Sequence, residues 1–189
     1  MDLDTLYRRT VDVWTDRLNA VGADGWDGPT PCSQWSVREL VNHVAGEDLW
    51  TVPLVNGSTI EEVGDRFDGD LLGDDPVRVA LDAATAAVDA VSARLPEGGT
   101  VRLSYGEEQL PEYVQQLAAD HLVHAWDLAV ATGGDPTLDP ELVSGVHGWF
   151  AEREELYRGG GAIGPRGRSS GGAQSDLLAA FGRDSDWSG

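Results

Sequence analysis

The chain has 189 residues, 41% of them hydrophobic, and its 33 acidic and 13 basic side chains give a formal net charge of −20. This length predicts one domain with a substantial core, or one domain with a short appendage. The acidic balance argues against nucleic acid and anionic membrane surfaces as partners, because both carry negative charge. No apolar run approaches the ~18 residues of a transmembrane helix and no secretory signal is recognisable, so we expect a cytoplasmic protein.

Two helices are predicted in the first third of the chain. Apolar residues recur with helical spacing from Leu3 to Val21, and a glycine- and proline-containing segment ends that helix. The second helix begins at Ser36, whose hydroxyl can accept a bond from a free backbone amide while Glu39 reaches back to Ser36. We expect this helix to end near Pro53.

The middle of the chain predicts a long connection, a third helix and a short strand. Residues 56–75 are acidic and glycine-rich, so little regular structure is expected there. Pro76 suits the first turn of a helix that runs to about Leu95. Residues 101–105 alternate between apolar and polar, which is typical of a short strand or an extended connection.

Two further helices are predicted in the second half. One runs from about Pro111 to Thr132 and ends at Gly133, a residue typical of helix C-termini. The other begins with Asp139 as its cap and runs to about Tyr157.

The last part of the chain predicts a loop-rich tail. Residues 159–172 are rich in glycine, serine and arginine, and a short helix is expected at 176–181. The sum is an all-α protein with four main helices, one capping helix, a short strand and this tail. We therefore expect a bundle over residues 1–158 and a glycine-rich connection with a short packed helix over 159–189.

Three of the four histidines lie on two of the predicted helices and suggest a metal site. Asp120 and His124 are four residues apart, so both project from one helix face and can offer an oxygen and a nitrogen to one ion. His43, on the second helix, completes the two-histidine, one-carboxylate set of catalytic zinc sites. His121 is the alternative to Asp120, because it precedes His124 by three residues and shares its face.

Structural alternatives stand beside this reading. His43 can be a core-edge histidine bonded to a carbonyl, and His121 can simply fill the space between helices. Asp127 is interpreted as a carboxylate that orients a ligand imidazole. Cys32 excludes an intrachain disulfide and is interpreted as a small buried hydrophobe. His147 is interpreted as structural or exposed.

Several further side chains were weighed for a pocket. Four tryptophans lie in or beside the histidine segments and serve either the core or a pocket wall: Trp26, Trp35, Trp50 and Trp126. Arg38 and Arg102 are candidates for contacts with a substrate carboxylate. Signatures of serine hydrolases, P-loops and dinucleotide-binding folds are absent.

At these residues the chain resembles the mycothiol-dependent maleylpyruvate isomerase family, within the DinB-like metal-binding superfamily. TPCSQWSVRELVNH, residues 30–43, looks like the first signature of that family, and LVHAWDLAVATG, residues 122–133, looks like the second. LLAAFGRD, residues 177–184, is similar to the tail of an actinobacterial branch described as metal-binding.

The resemblance implies a DinB-like four-helix bundle that holds one divalent metal through His43, Asp120 and His124. Zinc is the metal it implies first, with Ni²⁺ or Fe²⁺ as alternatives. The isomerases carry glutamate where this chain has Asp120. Aspartate is one methylene shorter, so it must lie closer to the metal, bind through water, or yield its place to His121.

The resemblance also implies mycothiol or a similar low-molecular-weight thiol as cofactor. We therefore expect a metal- and thiol-dependent transferase or isomerase that acts on a small electrophilic molecule, with no nucleophile of its own. A non-catalytic metal- or ligand-binding bundle and a metal-dependent hydrolase remain the alternatives. The oligomeric state is open between monomer and homodimer.

Overall fold

A computed structural model describes residues 1–189 and shows a helical protein with one small antiparallel hairpin. The all-α class expected from the sequence is confirmed. The elements are α1 Leu3–Asn19, α2 Val37–Val55, α3 Ile60–Val63, α4 Pro76–Arg94, β1 Thr100–Leu103, β2 Gly106–Gln109, α5 Leu110–Thr132, α6 Pro140–Ala151, α7 Glu154–Gly159 and α8 Ala173–Ala180.

Four helices form the bundle, and each packs on two others. Helix α1 lies against α4 and α5, and α2 lies against the same two helices from the other side. Helix α6 packs on α5 and α1, and α8 packs on α6, so the tail returns to the bundle. None of the helices has the length and apolar character that crossing a membrane requires.

Local signals set the bounds of the helices that matter for the site. The Ser36 hydroxyl accepts a bond from the Glu39 amide at 3.3 Å, and the Ser36 amide donates to the Glu39 carboxylate at 2.8 Å. This reciprocal capping box starts α2, as the sequence predicts. Helix α5 ends at Gly133, whose φ of +71° is the left-handed conformation that glycine adopts without a Cβ clash.

Two predicted elements differ from the structure. Residues 56–75 contain the short helix α3, because Thr59 and Glu62 form a capping box of their own. The fifth predicted helix does not run to Tyr157; α6 ends at Ala151 and α7 begins at Glu154. Between them Arg153 leaves helical geometry, and its guanidinium donates to Glu112 of α5 at 2.6 Å.

Helix α5 is the most deeply buried element. From residue 117 to residue 129 every side chain is buried except Asp120, which is partly exposed. This stretch includes three titratable side chains of low exposure, His121, His124 and Asp127. Buried groups of this kind need polar partners, so the surrounding elements must provide them.

We expect Ser36→Ala to lower the free energy of unfolding by about 1 kcal/mol, because it removes the hydroxyl that caps α2. Urea denaturation monitored by circular dichroism measures the change. Ser33→Ala is the matched control, since Ser33 is exposed and outside the cap, and its effect is expected to stay within about 0.5 kcal/mol. Equal effects of the two substitutions would contradict the role of the cap.

Candidate metal centre

The three residues proposed as metal ligands lie together at the contact of α2 and α5. His43 Nε2 is 3.6 Å from Asp120 Oδ2, and His124 Nε2 is 3.3 Å from Asp120 Oδ1. One ligand atom from each residue lies within 4.8 Å of the ligand atoms of the other two. The Asp120 carboxylate therefore stands between two imidazoles that both present Nε2 to it.

The donor chemistry of this group fits a divalent cation. Asp120 Oδ2 is buried and has no hydrogen-bond partner. A buried carboxylate oxygen without a partner is costly, and a cation at this place would remove that cost. Two imidazole nitrogens and one carboxylate oxygen are the protein ligands of many catalytic zinc sites.

His124 is oriented by Asp127, the role that the sequence suggested for this carboxylate. Nδ1 of His124 lies 2.9 Å from Asp127 Oδ2. Because a carboxylate can only accept, Nδ1 carries the proton of this bond and Nε2 is left facing Asp120. Asp127 in turn accepts from the Arg183 guanidinium, with Nη2 2.7 Å from Oδ2.

The electrostatics of the site follow from these contacts. Burial disfavours the charged forms of Asp120, His124 and Asp127, but the charges and hydrogen bonds of their neighbours outweigh this effect on each pKa. His124, and after it His43, holds the pKa of Asp120 well below its ordinary value. The Asp120 carboxylate, and then Asp127, raises the pKa of His124 well above its ordinary value. Arg183 lowers the pKa of Asp127.

His121 lies elsewhere. Its Nδ1 bonds the Leu117 carbonyl at 2.8 Å, and its Nε2 is 3.2 Å from Asp48 Oδ1 on α2. Both His121 and Asp48 are fully buried. His121 therefore joins α5 to α2 next to the site, as does the bond of 3.0 Å between Thr51 and Tyr113.

Cys32 and Arg183 are site residues that the sequence analysis missed. Cys32 is half-buried rather than a core hydrophobe, and Arg183 Nη2 lies 3.0 Å from its sulfur. Cys32, His124 and Asp127 form a second cluster of ligand atoms within 4.8 Å of one another. The Arg183 guanidinium contacts all three members, so this second cluster already holds a cation from the protein.

Glu47 is a further missed residue, one turn after His43 on α2. Burial and the nearby Asp120 carboxylate raise its pKa. Its spacing from His43 was visible in the sequence, but its approach to Asp120 depends on how α2 packs on α5.

A pocket of about 860 Å³ opens beside the proposed ligands. Trp35 packs on His43 with 4.6 Å between ring centroids and forms part of its wall. Other lining residues come from α5, α6, α7 and the tail, and include Gln116, Trp149, Tyr157, Ile163, Phe181 and Arg183.

The other side chains considered for a pocket or for a substrate contact lie outside this pocket. Arg38 donates to Asp70 and to the Gly73 carbonyl, and Arg102 lies on β1, so neither lines the pocket. Among the candidate tryptophans only Trp35 lines it. The other three lie outside it: Trp26, Trp50 and Trp126.

Comparisons with known proteins agree with the fold. The family described as "Mycothiol maleylpyruvate isomerase N-terminal domain" matches residues 7–129, a segment that contains His43, Asp120 and His124. Two uncharacterised proteins of Mycobacterium tuberculosis, from strains CDC 1551 and H37Rv, are each 38% identical over 144 residues, covering 75% of this chain and 74% of theirs. No solved structure matches.

In the metal-free protein, kept in EDTA, we expect His124 to titrate above the ordinary value of 6.5. A folded-state pKa above the unfolded one means that protonated His124 adds stability that is complete below the unfolded pKa and is lost as pH rises through the folded pKa. An NMR titration of the histidine ring protons, assigned with His124→Gln, measures this. A His124 titration at or below 6.5 would contradict the electrostatic description.

Proposed function

Because the chain belongs to the mycothiol maleylpyruvate isomerase N-terminal domain family, we propose that it binds a divalent metal and activates the sulfur of a small thiol. Mycothiol is the thiol that the family suggests, and the reaction is a transfer or an isomerisation of an electrophilic small molecule. The observation that carries this proposal is the convergence of two imidazoles on the Asp120 carboxylate beside a pocket, with one oxygen of that carboxylate, Oδ2, buried and without a hydrogen-bond partner.

His43, Asp120 and His124 would hold the ion, which we propose to be zinc first, with Ni²⁺ or Fe²⁺ as alternatives. The position of Asp120 between His43 and His124 supports it over His121 as the third ligand, because His121 is directed to Asp48. The shorter aspartate side chain thus lies close enough to both imidazoles to share an ion with them. When bound, a divalent cation favours the thiolate form of a coordinating thiol at neutral pH.

The pocket would hold the thiol and its substrate. Its volume of about 860 Å³ lies within the ~300–1,000 Å³ usual for small-molecule sites. Trp35, Trp149 and Phe181 give the pocket aromatic walls against which an apolar part of the substrate could pack. The Arg183 guanidinium is already paired with Asp127, so it would orient the side chains around it rather than act as a free positive charge for a substrate.

A metal-dependent hydrolase is the second candidate, because an ion held by the same three residues would lower the pKa of a bound water. The half-buried Glu47 carboxyl lies one turn after His43 on α2 and is the candidate base for that water. Turnover without any added thiol would select this function over the first.

We expect Asp120→Asn to weaken metal binding at least about tenfold, while His121→Gln retains the metal. Metal content after gel filtration and competition with a chromophoric chelator measure the two effects. Circular dichroism checks that each variant is folded, since His121→Gln breaks a buried contact with Asp48. Retention by Asp120→Asn together with loss by His121→Gln would make His121 the third ligand.

In the cobalt-substituted protein, we expect an added thiol to produce a sulfur-to-cobalt charge-transfer band. Mycothiol is titrated first and simpler thiols follow, with absorption spectroscopy as the measurement. Cys32→Ser is the matched control, because Cys32 is a protein sulfur near the site. Bound cobalt without a band in either protein would end the thiol-activation proposal and leave hydrolysis or non-catalytic binding.

A further inference from the structure

We infer that Arg183 is a positioning residue of the metal centre, acting through Asp127 on His124. It lies in the tail, outside residues 7–129 that match the family. The inference rests on the proposed function in that it needs an ion at His43, Asp120 and His124. It gives the tail a role in orienting a metal ligand, in addition to packing against the bundle.

The contacts between Arg183 and Asp127 form a fork. Nη2 lies 2.7 Å from Asp127 Oδ2, and Nε lies 3.1 Å from each carboxylate oxygen. Asp127 is fully buried, and 17% of the Arg183 side chain is exposed. Charge-assisted bonds of this kind, with two donors of one guanidinium, fix the plane of a carboxylate as well as its charge.

The oriented carboxylate sets the tautomer of His124. Asp127 Oδ2 accepts from Arg183 and also lies 2.9 Å from His124 Nδ1. Because Arg183 supplies the counter-charge of the buried Asp127, His124 can serve as a neutral donor from Nδ1 and keep the Nε2 lone pair for an ion. Without Arg183, the carboxylate would have Cys32 and His124 as its remaining side-chain partners and would be free to turn.

The chain directs Arg183 at Asp127 through a tight turn at the end of α8. Gly182 has a φ of +79°, its amide donates to the Ala179 carbonyl at 3.0 Å, and the Arg183 amide donates to the Leu178 carbonyl at 2.9 Å. This pair of bonds is the Schellman motif, which requires glycine at its left-handed position. A Cβ at Gly182 would also lie 3.1 Å from the Pro165 carbonyl.

Aromatic packing holds this turn on the bundle. Phe181 stacks on Phe150 of α6 with 4.0 Å between ring centroids, and the Phe181 carbonyl accepts from Arg183 Nη1 at 2.9 Å. The guanidinium is therefore held both by the backbone of its own turn and by the Asp127 carboxylate.

The tail offers a matched control. Arg168 pairs with the exposed Asp184 and does not line the pocket. Arg168→Met thus removes a tail arginine and its ion pair with the residue next to Arg183, but removes no side chain that lines the pocket.

The test compares wild type, Arg183→Met, Arg183→Lys and Arg168→Met for zinc affinity by chelator competition and for the visible spectrum of the Co²⁺ form. We expect Arg183→Met to weaken zinc about 10- to 100-fold and to alter the Co²⁺ spectrum, because His124 is no longer oriented. Arg183→Lys is expected to recover part of the loss, since it keeps the charge but not the fork. Arg168→Met is expected to stay within about twofold of wild type.

A double variant separates positioning from general packing. In an Asp127→Asn background, Arg183→Met is expected to cause no further loss of zinc affinity, because the residue through which it acts has changed. Circular dichroism and melting temperature accompany every variant. Should Arg183→Met fail to fold, Arg183→Lys and the double variant, which removes both buried charges, still decide the question.

The outcomes distinguish the two proposals. A wild-type protein that binds no metal overturns the proposed function itself. A wild-type protein that binds zinc, with Arg183→Met equal to Arg168→Met or fully additive with Asp127→Asn, overturns the role of Arg183 alone.

Discussion

The burial of α5 is the constraint on which the site depends. A helix enclosed by other elements leaves few of its charged side chains to water, so these side chains need polar partners on the same helix or on the elements around it. The partners of His121 and Asp120 come from α2, as Asp48 and His43. The partner of Asp127 comes from the tail, as Arg183. One buried helix thereby determines how α2 and the tail are placed around it.

The two sides of α5 use this requirement differently. On one side the pair of His121 and Asp48 is closed on all sides and joins two helices. On the other side the group of Asp120 and His124 borders the pocket and keeps one buried carboxylate oxygen without a partner. Both groups contain buried polar atoms without a hydrogen-bond partner, but only the group of Asp120 and His124 borders a pocket through which a ligand can reach it.

Sequence reasoning was sufficient where a few neighbouring residues determine the outcome. The capping box of Ser36 and Glu39, the glycine that ends α5 and the spacing of Asp120 and His124 are local features. The break at Arg153 and the contact of Arg183 with Asp127 are not local, because they join residues 41 and 56 positions apart. No periodicity or motif encodes such a pairing, which depends on how finished helices pack. For the same reason the sequence predicts Cys32 as a core residue, whereas it is half-buried and lines the pocket.

The contact of Arg183 with Cys32 spans 151 positions of the chain, and this separation has a kinetic meaning. Helices closed by their own capping boxes form from nearby residues, whereas pairings between distant residues pay the entropy of closing a long loop. During folding, the helical bundle is therefore expected to precede the completed centre. Early in folding, the imidazoles of His43 and His124 are still far apart and cannot share an ion. The last long-range contacts to form therefore decide when the protein can hold it.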